Sequence, residues 1–235
     1  KLAINPVAMA TLPYDAPDDC EMVSQIGLPA LGMIVPPALG IKTVDEFVAY
    51  ARARPGKTSF ASFGIGSSSH LYGEMLKTAT KVDMVHVPYK GAGPAVQDII
   101  GGQATMGIHD FASIGAQVQG GRATLLAVTG TKRWPTFPDV PTFQELGYPL
   151  DLVGWNGIIA PKGTPKAIVE RLSVEINKII QSPEGRARML QMGLLATGTT
   201  PAEFADIVRR DPPRWGATWE GAGIAPKSVA TGRRA

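Results

Sequence analysis

The chain has 235 residues, 44% of them apolar and 18% charged, with a net charge of +3. That balance describes a globular protein with one large core or two small ones, and it excludes a disordered chain. The 23 basic and 20 acidic residues are interspersed, so no basic stripe with interleaved aromatics points to nucleic acid, and no apolar run is long enough to span a bilayer.

Cys20 is the only cysteine, which rules out an internal disulfide. The chain starts at Lys1 with no charged segment leading into an apolar one, so the expectation is a removed leader or a fragment. With 27 glycines and 20 prolines, many short elements joined by turns are predicted. The first, a strand at 30–35, is bounded by Pro29 and by Pro36-Pro37. Thr43-Val-Asp-Glu46 is a capping box, with Thr43 as N-cap and Glu46 at N3, and opens a helix burying Val44, Phe47, Val48 and Ala51. A strand over 58–62 follows, then a glycine-rich turn through Gly64 and Gly66, three serines, and a helix from about His70 to Thr80. Strands over 83–87, 104–109 and 124–128 then alternate with helices over 92–100 and 111–119. Strict alternation of this kind predicts a parallel sheet covered by helices on both faces.

Between Gly130 and Leu150 the pattern gives way to a proline-rich stretch, read as an ordered, extended loop. A strand over 153–160 ends at Pro161-Lys-Gly163. Thr164 is predicted to cap a helix with Pro165 at N1, burying a face of Ile168, Leu172, Ile176 and Ile179 with Val169 and Ile180 beside it. Ser182-Pro183 opens a second helix ending near Gly193, and the capping box Thr200-Pro-Ala-Glu203 a third. Pro212 and Pro213 are expected to kink or end that third helix before Trp215, and the last ten residues to form a loose tail. The strands at 30–35 and 153–160 flank the α/β block, which therefore reads as a domain inserted into another.

Three turns in the block carry the chemistry. Gly66-Ser-Ser-Ser69 lies between a strand and a helix, where unpaired N–H groups and hydroxyls converge on a point suited to an anion. A plain helix cap with spare hydroxyls is the competing reading. The turn matches neither the dinucleotide fingerprint nor the P-loop, nor the nucleophile elbow. In Val87-Pro-Tyr-Lys-Gly91, Lys90 is placed to donate to a carboxylate, or else is an exposed lysine in a turn. In Ile108-His-Asp-Phe111, Asp110 reads more readily as an N-cap than as a ligand contact. His70, His86 and His109 show no metal-ligand spacing, and a serine hydrolase using one of them is the weaker reading. With no acid–base pair, metal cluster or activated nucleophile, the sequence describes a protein that holds an anion rather than transforming it.

Further motifs run in order along nearly the whole chain: Asn5-Pro6, Leu12-Pro-Tyr-Asp15, Pro55-Gly-Lys57, Gly66-Ser-Ser-Ser-His-Leu71, His86-Val-Pro-Tyr-Lys-Gly91, Gly101-Gly-Gln103, Leu126-Ala-Val-Thr129, Lys132-Arg133, Pro138-Asp-Val-Pro-Thr142, Ala160-Pro161 and Gly163-Thr-Pro165. Together they resemble the periplasmic substrate-binding receptors of tripartite tricarboxylate transporters, the Bug or TctC family.

The resemblance implies an α/β, type II periplasmic-binding-protein fold of two lobes with mostly parallel sheets. The first lobe would comprise residues 1–29 and 156–235, and the second, inserted lobe residues 30–155. The family's further N-terminal segment would be missing from the first lobe, leaving binding impaired, and the hinge would lie near Gly32 and Gly154. The implied function is capture of a small carboxylate (a di- or tricarboxylate, amino acid or aromatic acid) between the lobes, for delivery to membrane transporter subunits. The alternative is a ligand-sensing co-receptor or effector-binding domain used for signalling. Carried over by position, Gly66, Ser67, Ser68 and Ser69 would hold one carboxylate, with Tyr89, Lys90 and Asp110 near it. A monomer without enzymatic activity, cofactor, metal or nucleic acid is expected, exported to the periplasm. The family usually has Phe-Asp-Asn at His109-Asp-Phe111 and an unbroken helix at Pro212-Pro213, two departures in this chain.

Overall fold

The structure, a computed structural model, describes residues 16–221. The Asn5-Pro6 and Leu12–Asp15 motifs, the expected N-terminal gap and the expected tail lie outside the described residues. The chain divides into two compact units, one of Pro29–Gly154 with Leu190–Leu195, the other of the remaining residues.

The first unit is built on a five-stranded sheet. Its strands are β2 (Leu31–Val35), β3 (Thr58–Ser62), β4 (Met84–Pro88), β5 (Met106–Asp110) and β6 (Thr124–Val128), in the order β4-β3-β5-β2-β6. The helices are α2 (Val44–Arg52), α3 (Ser68–Thr80), α4 (Ala92–Ile100) and α5 (Phe111–Gln119). Thr43 caps α2 as the sequence predicts, its Oγ accepting from the Glu46 N–H at 3.1 Å. The return bond goes one residue further out than in a standard capping box, from the Lys42 N–H to the Glu46 carboxylate at 2.6 Å.

The expectation of a mostly parallel sheet holds around β3, which is parallel to β4 and to β5. It fails at β2, which runs antiparallel to both β5 and β6. β2 precedes the first strand–helix repeat, so no helical crossover forces its direction, and it fills the gap between β5 and β6 from the opposite end. Gly32, expected near a hinge, has a packing role there. A Cβ on it would lie 2.5 Å from Leu125 Cδ1 and 2.8 Å from Ile114 Cδ1, so its bare backbone lets α5 close onto the sheet.

The loop after β6 is ordered by its own aromatic and polar contacts. Trp134 and Phe143 are fully buried, and the Trp134 ring lies 4.5 Å from that of Phe111 at an interplanar angle of 3°. Arg133 donates from Nε to both Glu145 carboxylate oxygens at 3.0 Å and from Nη1 to the Pro138 carbonyl at 3.1 Å. The Lys132-Arg133 and Pro138–Thr142 motifs thus hold the loop's shape.

In the second unit, β1 (Cys20–Pro29) follows the short helix α1 (Ala16–Asp19) and pairs antiparallel with β7 (Asn156–Pro161); the short strand β8 (Leu194–Ala196) spans the point where the chain passes from the first unit to the second. The sequence reading missed β1 and β8 and started β7 three residues early. Helices α6 (Lys166–Gln181), α7 (Pro183–Gln191) and α8 (Pro201–Gly221) complete the unit. The buried face of α6 is Val169, Ser173 and Ile180, while Ile168, Leu172 and Ile179 are exposed, so the helix is turned by one residue from the expected face. Polar bonds set that rotation. Ser24 Oγ donates to Asn177 Oδ1 at 2.8 Å, and the Thr199 carbonyl accepts from Asn177 Nδ2 at 2.9 Å and Ser173 Oγ at 3.2 Å. Leaving these groups buried and unpaired would cost about 1–3 kcal/mol each.

Thr164 does not cap α6. Its hydroxyl donates to the Pro161 carbonyl at 2.7 Å, and Pro165 occupies the N-cap position. Nor do Pro212 and Pro213 end α8, which continues to Gly221. The helix tolerates two missing N–H donors because it is pinned on both sides of them. Phe204, Val208 and Trp215 are buried, and Trp155 Nε1 donates to Asp211 Oδ2 at 2.7 Å. Gly157 makes the close approach of this helix possible, since a Cβ there would be driven into the Phe204 ring. Gly157→Ala is expected to cost about 1–3 kcal/mol of stability as an overpacking change, measurable as a lower denaturant midpoint. No described helix is long and apolar enough to cross a membrane.

Candidate functional site

β3 ends at Ser62, and the chain turns through Gly64 at φ 137° and Gly66 at φ 77°, backbone angles that favour glycine. Ser67 caps α3, its Oγ accepting from the His70 N–H at 3.2 Å and donating to the Gly64 carbonyl at 2.6 Å. That hydroxyl proton is committed inside the turn, which leaves Ser67 shaping the site rather than donating into it. The next two residues differ. Ser68 and Ser69 occupy the first positions of a thirteen-residue helix, where backbone N–H groups lack intrahelical acceptors. Ser69 is fully buried, and its Oγ has no hydrogen-bond partner among the described residues. The turn therefore presents two N–H groups and two hydroxyls at the positive end of a helix, a donor set matched to a carboxylate.

Because β3 lies between β4 and β5 and is parallel to both, the turns that follow these three strands leave the sheet along one edge. Open α/β sheets bind ligands at such a carboxyl edge. The Tyr89 N–H donates to the Ser62 carbonyl at 2.9 Å, which ties the second turn to the first. The Tyr89 hydroxyl is already used, donating to Asp98 Oδ2 at 2.6 Å, and burial together with that carboxylate pushes it up to about 12. Lys90 is exposed on this turn and is followed by Gly91 at φ 116°. Asp110 serves as the N-cap of α5: its Oδ1 accepts from the Ser113 N–H at 3.0 Å and from Ser113 Oγ at 2.9 Å.

Two of the histidines, His70 and His86, read from sequence as unremarkable, form the underside of the serine turn. Phe60 and His86 are paired in the β3–β4 register, and their rings stack with centroids 4.7 Å apart. The His70 ring stacks on His86 at 3.9 Å and 14°. His70 Nδ1 accepts from the Gly66 N–H at 3.2 Å, and His86 Nε2 lies 2.7 Å from Ser62 Oγ, which accepts from the Gly64 N–H at 3.2 Å. Gly73 completes the stack, since a Cβ on α3 at that point would strike the Phe60 ring. The sequence signal for this arrangement was His70 standing four residues after Gly66, with His86 opposite Phe60 in two adjacent parallel strands.

Burial, with the neighbouring His70, holds His86 down at about 4. Burial likewise lowers His109 to about 4, against the opposing pull of Asp110. Unfolded histidine titrates near ~6.5, so between those values the unfolded chain binds more protons than the folded one. Stability contributed by these neutral rings is therefore complete above about pH 6.5 and is lost as pH falls toward 4. The denaturant midpoint is expected to drop across that window, and the drop to be shallower in His109→Leu.

Among the described residues no group of three His, Cys, Asp or Glu side chains could hold a metal ion. A groove of about 1010 Å³ in the other unit is lined by Met22, Val169, Val174, Ala205 and neighbours on α6, α8 and β1, and contains none of the serine-turn residues.

A model of the tripartite tricarboxylate transporter family receptor matches residues 1–223. A UPF0065 protein encoded in the tcbD–tcbE intergenic region of Pseudomonas sp. strain P51 is 37% identical over 87% of the chain and 61% of its own length. BugT of Bordetella pertussis is 32% identical over 91% of the chain and 66% of its own length. The chain thus spans somewhat less than two-thirds of the length of these relatives. Among solved structures, R. palustris Rpa4515 with adipate superposes with a TM-score of 0.89 at 31% identity, covering 96% of this chain and 76% of that one. The periplasmic binding protein BugD superposes at 0.84 with 29% identity, covering 97% and 76%. A match that runs from the first residue to beyond Gly221 places the chain in the TctC family, the receptors of tripartite tricarboxylate transporters.

Proposed function

We propose that the whole protein is an extracytoplasmic solute-binding receptor. It captures a small carboxylate and hands it to the membrane subunits of a tripartite tricarboxylate-type transporter, acting as a monomer in the periplasm and without catalysis. The observation that carries this reading is the buried hydroxyl of Ser69, without a partner among the described residues, beside the N–H groups of Ser68 and Ser69, which have no intrahelical acceptor at the start of α3. Gly64 and Gly66 keep the approach free of side chains, and Ser67 fixes the turn. Lys90 supplies a cation from the adjacent turn. Tyr89 and Asp110 act at one remove, by bracing the turns after β4 and β5 through Asp98 and Ser113. Segments 1–29 with 156–235, and 30–155, are taken as the two lobes of the receptor.

Magnitudes show why several donors are needed. A helix N-terminus contributes about 0.3–1 kcal/mol to anion binding, and up to about 2 when sheltered. Micromolar affinity requires about 8 kcal/mol. Hydrogen bonds to a charged group add about 1.5–3 kcal/mol each, so the serine donors and Lys90 have to act together on the ligand.

Adipate is the first ligand to test, since the similar Rpa4515 was solved with it. Isothermal titration of adipate, succinate, citrate and an uncharged diamide of adipate is expected to give heat with at least one acid and none with the diamide. Equal binding of the diamide and the acid would overturn the carboxylate reading.

A further inference from the structure

Resting on the carboxylate reading of the serine turn, we infer that His70 and His86 are positioning residues for ligand binding. Their stacked rings lock the Gly64–Gly66 backbone beneath the donors, and His70 does so through an Nδ1 that must stay unprotonated. The argument begins with what fixes the turn. Gly64 and Gly66 have φ of 137° and 77°, and glycines in such conformations hold their shape only if their surroundings do. Two of the bonds holding them come from below. The Gly66 N–H is held by His70 Nδ1 at 3.2 Å, and the Gly64 N–H by Ser62 Oγ, which His86 Nε2 meets at 2.7 Å.

The ring positions are themselves over-determined. Phe60 backs His86, His86 backs His70, and Gly73 leaves room for Phe60 against α3. The tautomer follows from these contacts. An imidazole accepting at Nδ1 carries its proton on Nε2, which faces Glu74 Oε1 at 3.8 Å. A proton added to Nδ1 would turn the acceptor of the Gly66 N–H into a donor and force the two apart. Among the described residues, the ionisable groups near His70 include Glu74 on its own helix, Lys77 bonded to Glu74 at 3.0 Å, and His86 from β4. Of these, His86 stays uncharged down to about pH 4, and Glu74 and Lys77 carry opposite charges.

Two effects of acidification would have opposite signs. A charged imidazolium acting only through its field would tighten anion binding, whereas loss of the Gly66 bond weakens it. Asparagine separates them, because its Oδ1 stands where Nδ1 does and does not titrate. His70→Asn is expected to restore the turn at all pH values, and His70→Phe to keep the stack and lose the acceptor. In the ligand-free protein at pH 7.5, amide exchange followed by NMR should show Gly66 protected in wild type and His70→Asn. Exchange should be about tenfold faster in His70→Phe, the scale of one hydrogen bond.

In calorimetry with adipate as probe, the wild-type to His70→Asn affinity ratio should fall as the solution is acidified, with the ligand's own protonation common to both. Equal Gly66 exchange in wild type and His70→Phe would overturn the inference, as would a ratio that rises on acidification. Absence of adipate binding in every variant would count against the proposed ligand class, while the exchange measurement alone would still decide the role of His70.

Discussion

Truncating Phe60 to alanine is expected to lower the stability of the five-stranded unit by about 3–5 kcal/mol, the range for removing a buried aromatic ring. Phe60 is completely buried and sits in β3 between β4 and β5, against α3 at Gly73 and under the His86 ring. Its removal leaves a cavity that neither the β3 backbone nor the helix can close. The loss should appear as a lower urea midpoint with an unchanged slope. Phe60→Leu keeps most of the burial and removes the aromatic face, so it should cost much less stability and still release His86. A stability loss below about 1 kcal/mol in Phe60→Ala would mean that the pocket collapses around the missing ring. In that case Phe60 could not be the base on which the histidines rest.

Ser69→Ala is expected to move stability and binding in opposite directions. In the free protein its hydroxyl is buried with no partner among the described residues, a state that costs about 1–3 kcal/mol. Alanine removes the unpaired group and leaves the helix start intact, since Ser67, not Ser69, is the cap. Thermal unfolding should therefore shift upward. Affinity for the carboxylate should fall by about 1.5–3 kcal/mol, the worth of a hydrogen bond to a charged acceptor, or roughly 10- to 150-fold. A protein destabilised by Ser69→Ala, with unchanged affinity, would show that the hydroxyl has a structural partner and is not a ligand donor.

The strand–helix alternation of the inserted block was legible because three of its four helices begin with their own signal, α4 alone starting at a glycine without a side-chain cap. Thr43, Ser67 and Asp110 cap through side-chain oxygens, and such bonds are local in sequence. What could not be read depended on distant partners. The rotation of α6 is set by Ser24 and Thr199, far from the helix in sequence. The passage of α8 through Pro212 and Pro213 depends on Trp155 holding Asp211. The antiparallel course of β2 depends on strands that follow much later in the chain. At the site the serine turn and its anion chemistry were visible as a motif. The histidines beneath it were not, because their role arises from ring stacking between two elements and no spacing within one element reveals it.

The placement of β2 has a consequence for how the molecule is made. It is the first strand of its sheet to leave the ribosome, yet its two neighbours, β5 and β6, are among the last. Closing so long a loop carries an entropic penalty, and folds dominated by such pairings form slowly. The helix-linked run β3, α3, β4, α4 and β5 can assemble from local contacts while β2 waits, its apolar faces unpaired. During that interval Leu31-Gly-Met-Ile-Val35 is an uncharged, β-prone segment with nothing beside it, the kind of sequence through which chains associate before they finish folding. Refolding yield should accordingly fall with protein concentration, and a charge introduced at a residue flanking that segment should recover it.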